Sequence, residues 1–238
     1  MISSLWAPQT RGRAAKQRDG DMPNVGPFEL SVAILAAGRS RRMGRSKMLL
    51  PWEGTTIVGH LIATWNMLGA RQVVVVRAAD DEPMDAELDR LGFSKKDRIA
   101  NSDPQRGMFS SVRCAAEWSG WEAATTHWAI ALGDQPHLRR ESLAQLVKFA
   151  KQNANRICQP GRGGHGLHPV VLPMAYFERL ADAKAETLKD FLHLMADEVK
   201  LMETDDAGAT LDIDLPEDYE KAREFGRGAI ATRSRRCD

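Results

Sequence analysis

The segment Gly38-Arg39-Ser40-Arg41-Arg42-Met43-Gly44-Arg45-Ser46-Lys47 crowds cations and two glycines behind an apolar run, Leu30–Ala37. Glycines let main-chain N–H groups approach an anion closely. A guanidinium such as Arg42 can hold two oxygens at once, whereas the Lys47 ammonium follows a phosphate chain as a point charge. That combination suits a polyphosphate. Two familiar phosphate motifs are nevertheless absent. A P-loop needs Gly-Lys-Ser/Thr in succession, yet Arg45 and Ser46 separate Gly44 from Lys47, and no G-x-G-x-x-G is present.

Cations alone bind a triphosphate without helping it react. Transfer of its α-phosphoryl group calls for a divalent metal that neutralises the leaving pyrophosphate, and magnesium takes one or two carboxylates plus phosphate oxygens. Asp134, in Leu132-Gly133-Asp134-Gln135-Pro136, closes the apolar run His127–Leu132 and is one candidate. Asp214 is the other, in Leu211-Asp212-Ile213-Asp214-Leu215-Pro216-Glu217-Asp218-Tyr219. Strand alternation over Thr210–Asp214 puts Asp212 and Asp214 on one face and Ile213 on the other. Structural roles compete with these. Asp134 can cap a turn, and Asp214 can be the N-cap of a helix opening at Pro216.

The elements that must position these groups are legible as alternating runs. Leu30–Ala37, Gln72–Ala78 and His127–Leu132 read as buried strands. Thr55–Leu68, Pro83–Leu91, Met108–Trp118 and Arg140–Lys151 read as helices. Weaker strands are expected at Arg156–Gln159, His168–Leu172 and Val199–Glu203, before a last helix from Pro216. The alternation predicts an α/β fold with a doubly wound, mostly parallel sheet, in which ligands gather beyond the carboxyl ends of the strands. Both chemical segments sit at such ends. A single domain over 28–226 is expected, between a disordered N-terminal extension (1–27) and a basic C-terminal tail (227–238).

Composition narrows the function. A hydrophobic fraction of 43% and a charged fraction of 27% suit a globular domain, and the formal charge of +1 gives no global field for nucleic acid or an anionic membrane. The basic ends could touch RNA or acidic partners, but solvated tails are the favoured account of them. Cys114, Cys158 and Cys237 form no C-x-x-C pair, which points away from zinc and disulfides and toward the cytoplasm. No run approaches about 20 consecutive apolar residues, so no membrane association is expected.

The pattern L-A-A-G-x-S-x-R-M-G-x-x-K over Leu35–Lys47, followed by Leu49-Leu50-Pro51, resembles the molybdenum cofactor nucleotidyltransferases, members of the glycosyltransferase-A-like NTP transferases. G-D-Q-P and D-I-D-x-P-E-D-Y resemble the same family, with Leu215 where it usually has Thr. The resemblance implies a Rossmann-like sheet of the nucleotide-diphospho-sugar transferase type. It further implies a nucleotide site of Leu35, Ala37, Gly38, Arg39, Ser40, Arg42, Lys47, Asn101, Gly107, Ser110 and Ser111. Arg42, Lys47 and Asp134 carry catalysis in that reading, and Asp134 and Asp214 hold Mg²⁺. The segment Gly163–Val170 resembles the family's G-H-P-V stretch, but Leu167 intervenes between Gly166 and His168. Gln135, Pro136 and His168 are the expected acceptor contacts.

Leu-Ala-Ala-Gly resembles the cytidylyl branch, whereas guanylyl members tend toward Leu-Ala-Gly-Gly. The implied reaction moves CMP from CTP, or GMP from GTP, onto a phosphorylated pterin-type acceptor, with a molybdoenzyme or cofactor-handover protein as partner. A sugar or alcohol phosphate acceptor and a nucleotide-binding regulatory protein are the alternatives. No general base is required, because a phosphate monoester has its second ionisation near pH ~6 and is mostly dianionic at neutral pH.

Overall fold

The structure, a computed structural model, describes residues 27–38 and 46–234, with side chains described as far as 225. Leu30–Leu35 (β1) is buried along its whole length. A small hairpin, Pro51–Trp52 (β2) with Thr55–Thr56 (β3), leads into Ile57–Met67 (α1). Then follow Gln72–Ala78 (β4), Glu82–Arg90 (α2), Arg98–Asn101 (β5), Met108–Glu117 (α3) and His127–Leu132 (β6). The second half adds Arg140–Gln152 (α4), Ile157–Arg162 (β7), His165–Gly166 (β8) and Val170–Pro173 (β9). Met174–Phe177 (α5), Leu188–Leu194 (α6), Val199–Glu203 (β10) and Pro216–Ser234 (α7) complete the order.

Helix starts follow local chemistry. The Thr56 hydroxyl accepts from the Gly59 amide at 3.3 Å, and the Asp81 carboxylate accepts from the Met84 amide at 3.1 Å. Each satisfies an amide that the first turn leaves without a helical partner. At α7 the carboxylate of Asp218 reaches back to the Leu215 amide at 2.9 Å and the Asp214 amide at 3.3 Å. Asp218 thereby ties down the two residues just ahead of the helix.

The main sheet runs β10-β7-β9-β6-β1-β4-β5, with β8 beside β7. β1 pairs in parallel with β4 and β6, β4 with β5, and β10 with β7. β9 is antiparallel to both β6 and β7, so the sheet is mixed while its centre is parallel. Each face is covered. Val32, Ile34, Val73 and Val75 pack with Trp65 of α1, Leu88 of α2 and Leu146 of α4, while Ala33, Val74 and Val76 pack with Val112 of α3 and Phe191 of α6. Burying each such large aliphatic side chain stabilises the fold by about 1.5–3 kcal/mol.

One expectation changes. Thr210–Asp214 joins no sheet; Ala207–Thr210 is a 3-10 turn and the residues after it have no strand partner among the described residues. The in–out alternation survives, with Ile213 fully buried and Asp212 and Asp214 exposed. The last helix runs to Ser234. The expected N-terminal extension lies, apart from residue 27, outside the described residues.

Burial pushes the imidazoles of His127, His137 and His168 below their ordinary value of 6.5. Above that value both folded and unfolded chains carry neutral rings, and below it the unfolded chain binds more protons. Stability should therefore fall as pH drops from about 7 toward 5, and urea midpoints at the two ends of that window will test it.

Candidate active site

The strand order places β4 and β5 on one side of β1 and β6 on the other, so the crevice between the ends of β1 and β6 is the topological switch point of the sheet. Leu35 and Leu132 are register partners at those ends. Immediately beyond, the Gly133 amide donates to the Leu35 carbonyl at 3.0 Å. A Cβ at position 133 would lie 2.8 Å from that carbonyl oxygen and 2.7 Å from the Met48 sulfur. Glycine is what allows the two loops to touch. Asp134, next in the chain, is thereby delivered to the loop that carries Lys47.

There the expected convergence occurs. Lys47 Nζ donates to Asp134 Oδ2 at 2.9 Å, to the Ile213 carbonyl at 3.0 Å and to Asp214 Oδ1 at 3.5 Å. Residues far apart in sequence thus meet at one ammonium. The Ile213 amide also donates to the Asp134 carbonyl at 3.3 Å, so backbone contacts fix the 211–214 segment against the loop after β6. Sequence reasoning missed the Ile213 carbonyl because a main-chain acceptor leaves no mark on residue type.

A cleft of about 320 Å³ opens beside this cluster. Leu35, Ala37, Gly38, Lys47, Gly107, Ser111 and Asp134 line it as expected. Met48, Met108 and Leu132 also line it and were not expected. Gly107 stands ahead of α3 with φ +91°, a conformation that side-chain-bearing residues rarely adopt. The expected contacts of Arg39, Ser40 and Arg42 lie outside the described residues.

Two expected nucleotide contacts are placed differently. Asn101 is buried, and its amide donates to the Ser110 and Ser111 hydroxyls at 2.8 and 2.9 Å. Its carbonyl accepts from the Asp103 amide at 2.9 Å. Asn101 and Ser110 line a neighbouring groove rather than the cleft, because the amide is spent on holding the loop into α3. Asn101→Ala should cost about 1–3 kcal/mol through the partners it leaves unsatisfied. It should also raise the KM for nucleotide more than it lowers kcat. Urea unfolding and initial rates check both.

A second cavity of about 550 Å³ is lined by Met108, which it shares with the cleft, together with His165, His168, Lys189 and His193. His168 was expected at an acceptor site and does line this cavity. Desolvation lowers its pKa, partly opposed by a backbone hydrogen bond and by the charges of Asp134 and Asp212. Its Nδ1 is buried without a hydrogen-bond partner among the described residues. Gln135 and Pro136 line neither cavity. Both are buried, and the Gln135 amide donates to Asp212 Oδ1 at 2.9 Å. Gln135 therefore fixes the 211–214 segment instead of reaching outward.

The donor set fits a hard divalent cation. Asp134 Oδ1 is buried with no hydrogen-bond partner among the described residues, a costly position for a carboxylate oxygen unless a ligand completes it. Asp214 reaches the same ammonium. No group of three or more His, Cys, Asp or Glu converges among the described residues, so a cation held by Asp134 and Asp214 would have two carboxylates, with its other positions open to phosphate oxygens. That division is usual for magnesium. Also among the described residues, no helix is long and apolar enough to cross a membrane.

The chain is 28% identical over 195 residues to the molybdenum cofactor cytidylyltransferase of Escherichia coli K12, covering 82% of this chain and 96% of that protein. In three dimensions it is similar to a nucleotidyl transferase from Methanothermobacter thermautotroptrophicus, at TM-score 0.68 and 18% identity, over 84% of this chain and 99% of that one. It is also similar to Rv0371C of Mycobacterium tuberculosis H37Rv, solved in complex with manganese, at TM-score 0.62 and 22% identity, over 83% and 99% of the two chains. The family model described as the MobA-like NTP transferase domain matches residues 32–200, most of the chain. The mixed α/β sheet and this match over most of the chain make it a nucleotidyltransferase, and the chain belongs to the MobA-like NTP transferase family.

Proposed function

We propose that the chain transfers CMP from CTP to the phosphate of molybdopterin, releasing pyrophosphate, in the cytoplasm and with Mg²⁺ as cofactor. The observation that carries this reading is the meeting of Lys47, Asp134 and Asp214 at the mouth of a cleft lined by Leu35, Ala37 and Gly38. The likeness to the Escherichia coli cytidylyltransferase along most of both chains supports the choice of reaction. Ala37 supports the choice of base. Its methyl narrows the cleft relative to glycine and favours a pyrimidine, although one methyl discriminates by only ~1–3 kcal/mol.

The obstacle to the reaction is electrostatic. Two unit charges 4 Å apart repel by about 1 kcal/mol in water and ~4 kcal/mol at an effective dielectric near 20, and both reactants are polyanions. Asp134 and Asp214 hold a magnesium ion, which when bound offsets charge on the triphosphate and the leaving pyrophosphate. Lys47 adds a cation to the β- and γ-phosphates, and the Gly38 backbone leaves room for the phosphates to approach. The acceptor occupies the second cavity, with its phosphate toward Met108 and the cleft. His168, held neutral by burial, orients that acceptor by hydrogen bonding. No side chain has to remove a proton, since the attacking phosphate is already ionised.

The test is mass spectrometry of the product formed from CTP or GTP with Mg²⁺ and molybdopterin. A cytosine dinucleotide of the cofactor supports the reading. A guanine product corrects the nucleotide. Turnover only with a sugar or alcohol phosphate overturns the acceptor.

A further inference from the structure

Lys47 is described above as a triphosphate ligand, yet its ammonium is engaged elsewhere in the structure. Its ammonium lies 2.9 Å from Asp134 Oδ2, 3.0 Å from the Ile213 carbonyl and 3.5 Å from Asp214 Oδ1. An ammonium has three N–H donors. Gripping a phosphate oxygen therefore means loosening at least one of these contacts. A cation bound to Asp134 and Asp214 would meanwhile stand beside a positive charge unless Lys47 turned away.

From this geometry we infer that Lys47 is the resident counterion of the two carboxylates and that its departure couples cation binding to nucleotide binding. Without nucleotide, the ammonium stabilises the aspartate pair and competes with a divalent ion for it. When a triphosphate arrives, Lys47 moves its charge onto phosphate oxygens, and the carboxylates are left to the ion the triphosphate brings. Each ligand then raises the affinity of the other, as reciprocal linkage demands. The cleft is thereby kept from holding a bare metal ion, and a metal-free triphosphate draws Lys47 from the two carboxylates with no metal to take its place. This inference rests on the assignment of Asp134 and Asp214 to the metal.

The coupling predicts signs that a simple ligand role does not. Mn²⁺ binding to the full chain, followed by electron paramagnetic resonance without nucleotide, should be tighter in Lys47→Gln than in the native protein. A factor of about 5–150 is expected, the usual range for coupled sites. CTP binding in EDTA, followed by calorimetry, should likewise be tighter in Asp134→Asn, where Lys47 has lost its nearest carboxylate. Arg106→Gln removes a nearby cation outside the cluster and should leave Mn²⁺ affinity unchanged, which separates contact from general charge. Mn²⁺ affinity that is unchanged or weaker in Lys47→Gln, while Asp134→Asn loses Mn²⁺ binding, overturns the coupling and leaves the metal assignment standing. Native Mn²⁺ affinity in Asp134→Asn overturns both. If Lys47→Gln does not fold, weaker or unchanged CTP affinity of Asp134→Asn in EDTA is sufficient to reject the inference.

Discussion

Replacing Asp134 by alanine should lower kcat by at least ~10²-fold at saturating Mg²⁺, with circular dichroism and melting temperature close to native. Losing one preorganised electrostatic group at a reacting centre typically costs about 10²–10³ in kcat. Asp134 is both the nearest carboxylate to Lys47 and the owner of a buried, unpartnered oxygen. The expected stability is near native because removing Asp134 leaves Lys47 its contacts with the Ile213 carbonyl and Asp214. Pyrophosphate release at several Mg²⁺ concentrations checks the result. Near-native turnover in a folded variant would remove Asp134 from the chemistry.

The second large effect belongs to a residue with no side chain. Gly133→Ala places a methyl 2.8 Å from the Leu35 carbonyl oxygen and 2.7 Å from the Met48 sulfur. Met48 can turn aside, but a main-chain carbonyl in a central strand cannot. The loops after β1 and β6 must then separate, and their hydrogen bond lengthens. Overpacking of this kind costs roughly 1–3 kcal/mol. The activity cost should be larger, about 10²-fold, because a shift near 1 Å at a positioned group is enough for that. A urea midpoint and kcat measured on one preparation distinguish the two losses. An alanine variant with native kcat would show that the loops do not need their close approach.

How far residue type reached can be judged from particular elements. Gln72–Ala78 and His127–Leu132 form strands at the bounds expected of them, because continuous apolar runs buried along their length leave few alternatives; Val199–Glu203 keeps its expected bounds as well, as a half-exposed edge strand beside β7. Arg98–Asn101 gave no such signal. It is an edge strand whose one large apolar residue is Ile99, and pairing with β4 makes it a strand. The antiparallel placement of β9 between β6 and β7 was equally hidden, since a strand's direction depends on its connections.

In the site, Lys47, Asp134 and Asp214 were legible as opposite charges beside expected strands, and the structure brings the three together. Asn101 and Gln135 were read as ligand contacts, and the structure turns their amides toward Ser110, Ser111 and Asp212. An amide side chain looks the same in sequence whether it faces a ligand or a neighbouring loop. Gly133 shows the opposite case. Its importance lies in the atoms a larger residue would strike, which become visible only when Leu35 and Met48 have been placed.

Lys47 lies 87 residues from Asp134 and 167 from Asp214. During synthesis on the ribosome, β1 and Lys47 are therefore complete long before the second aspartate has been made. Such a nascent chain lacks half of its carboxylate pair. Catalytic competence should thus appear abruptly, late in translation, when the stretch around Ile213 docks against the Asp134 loop.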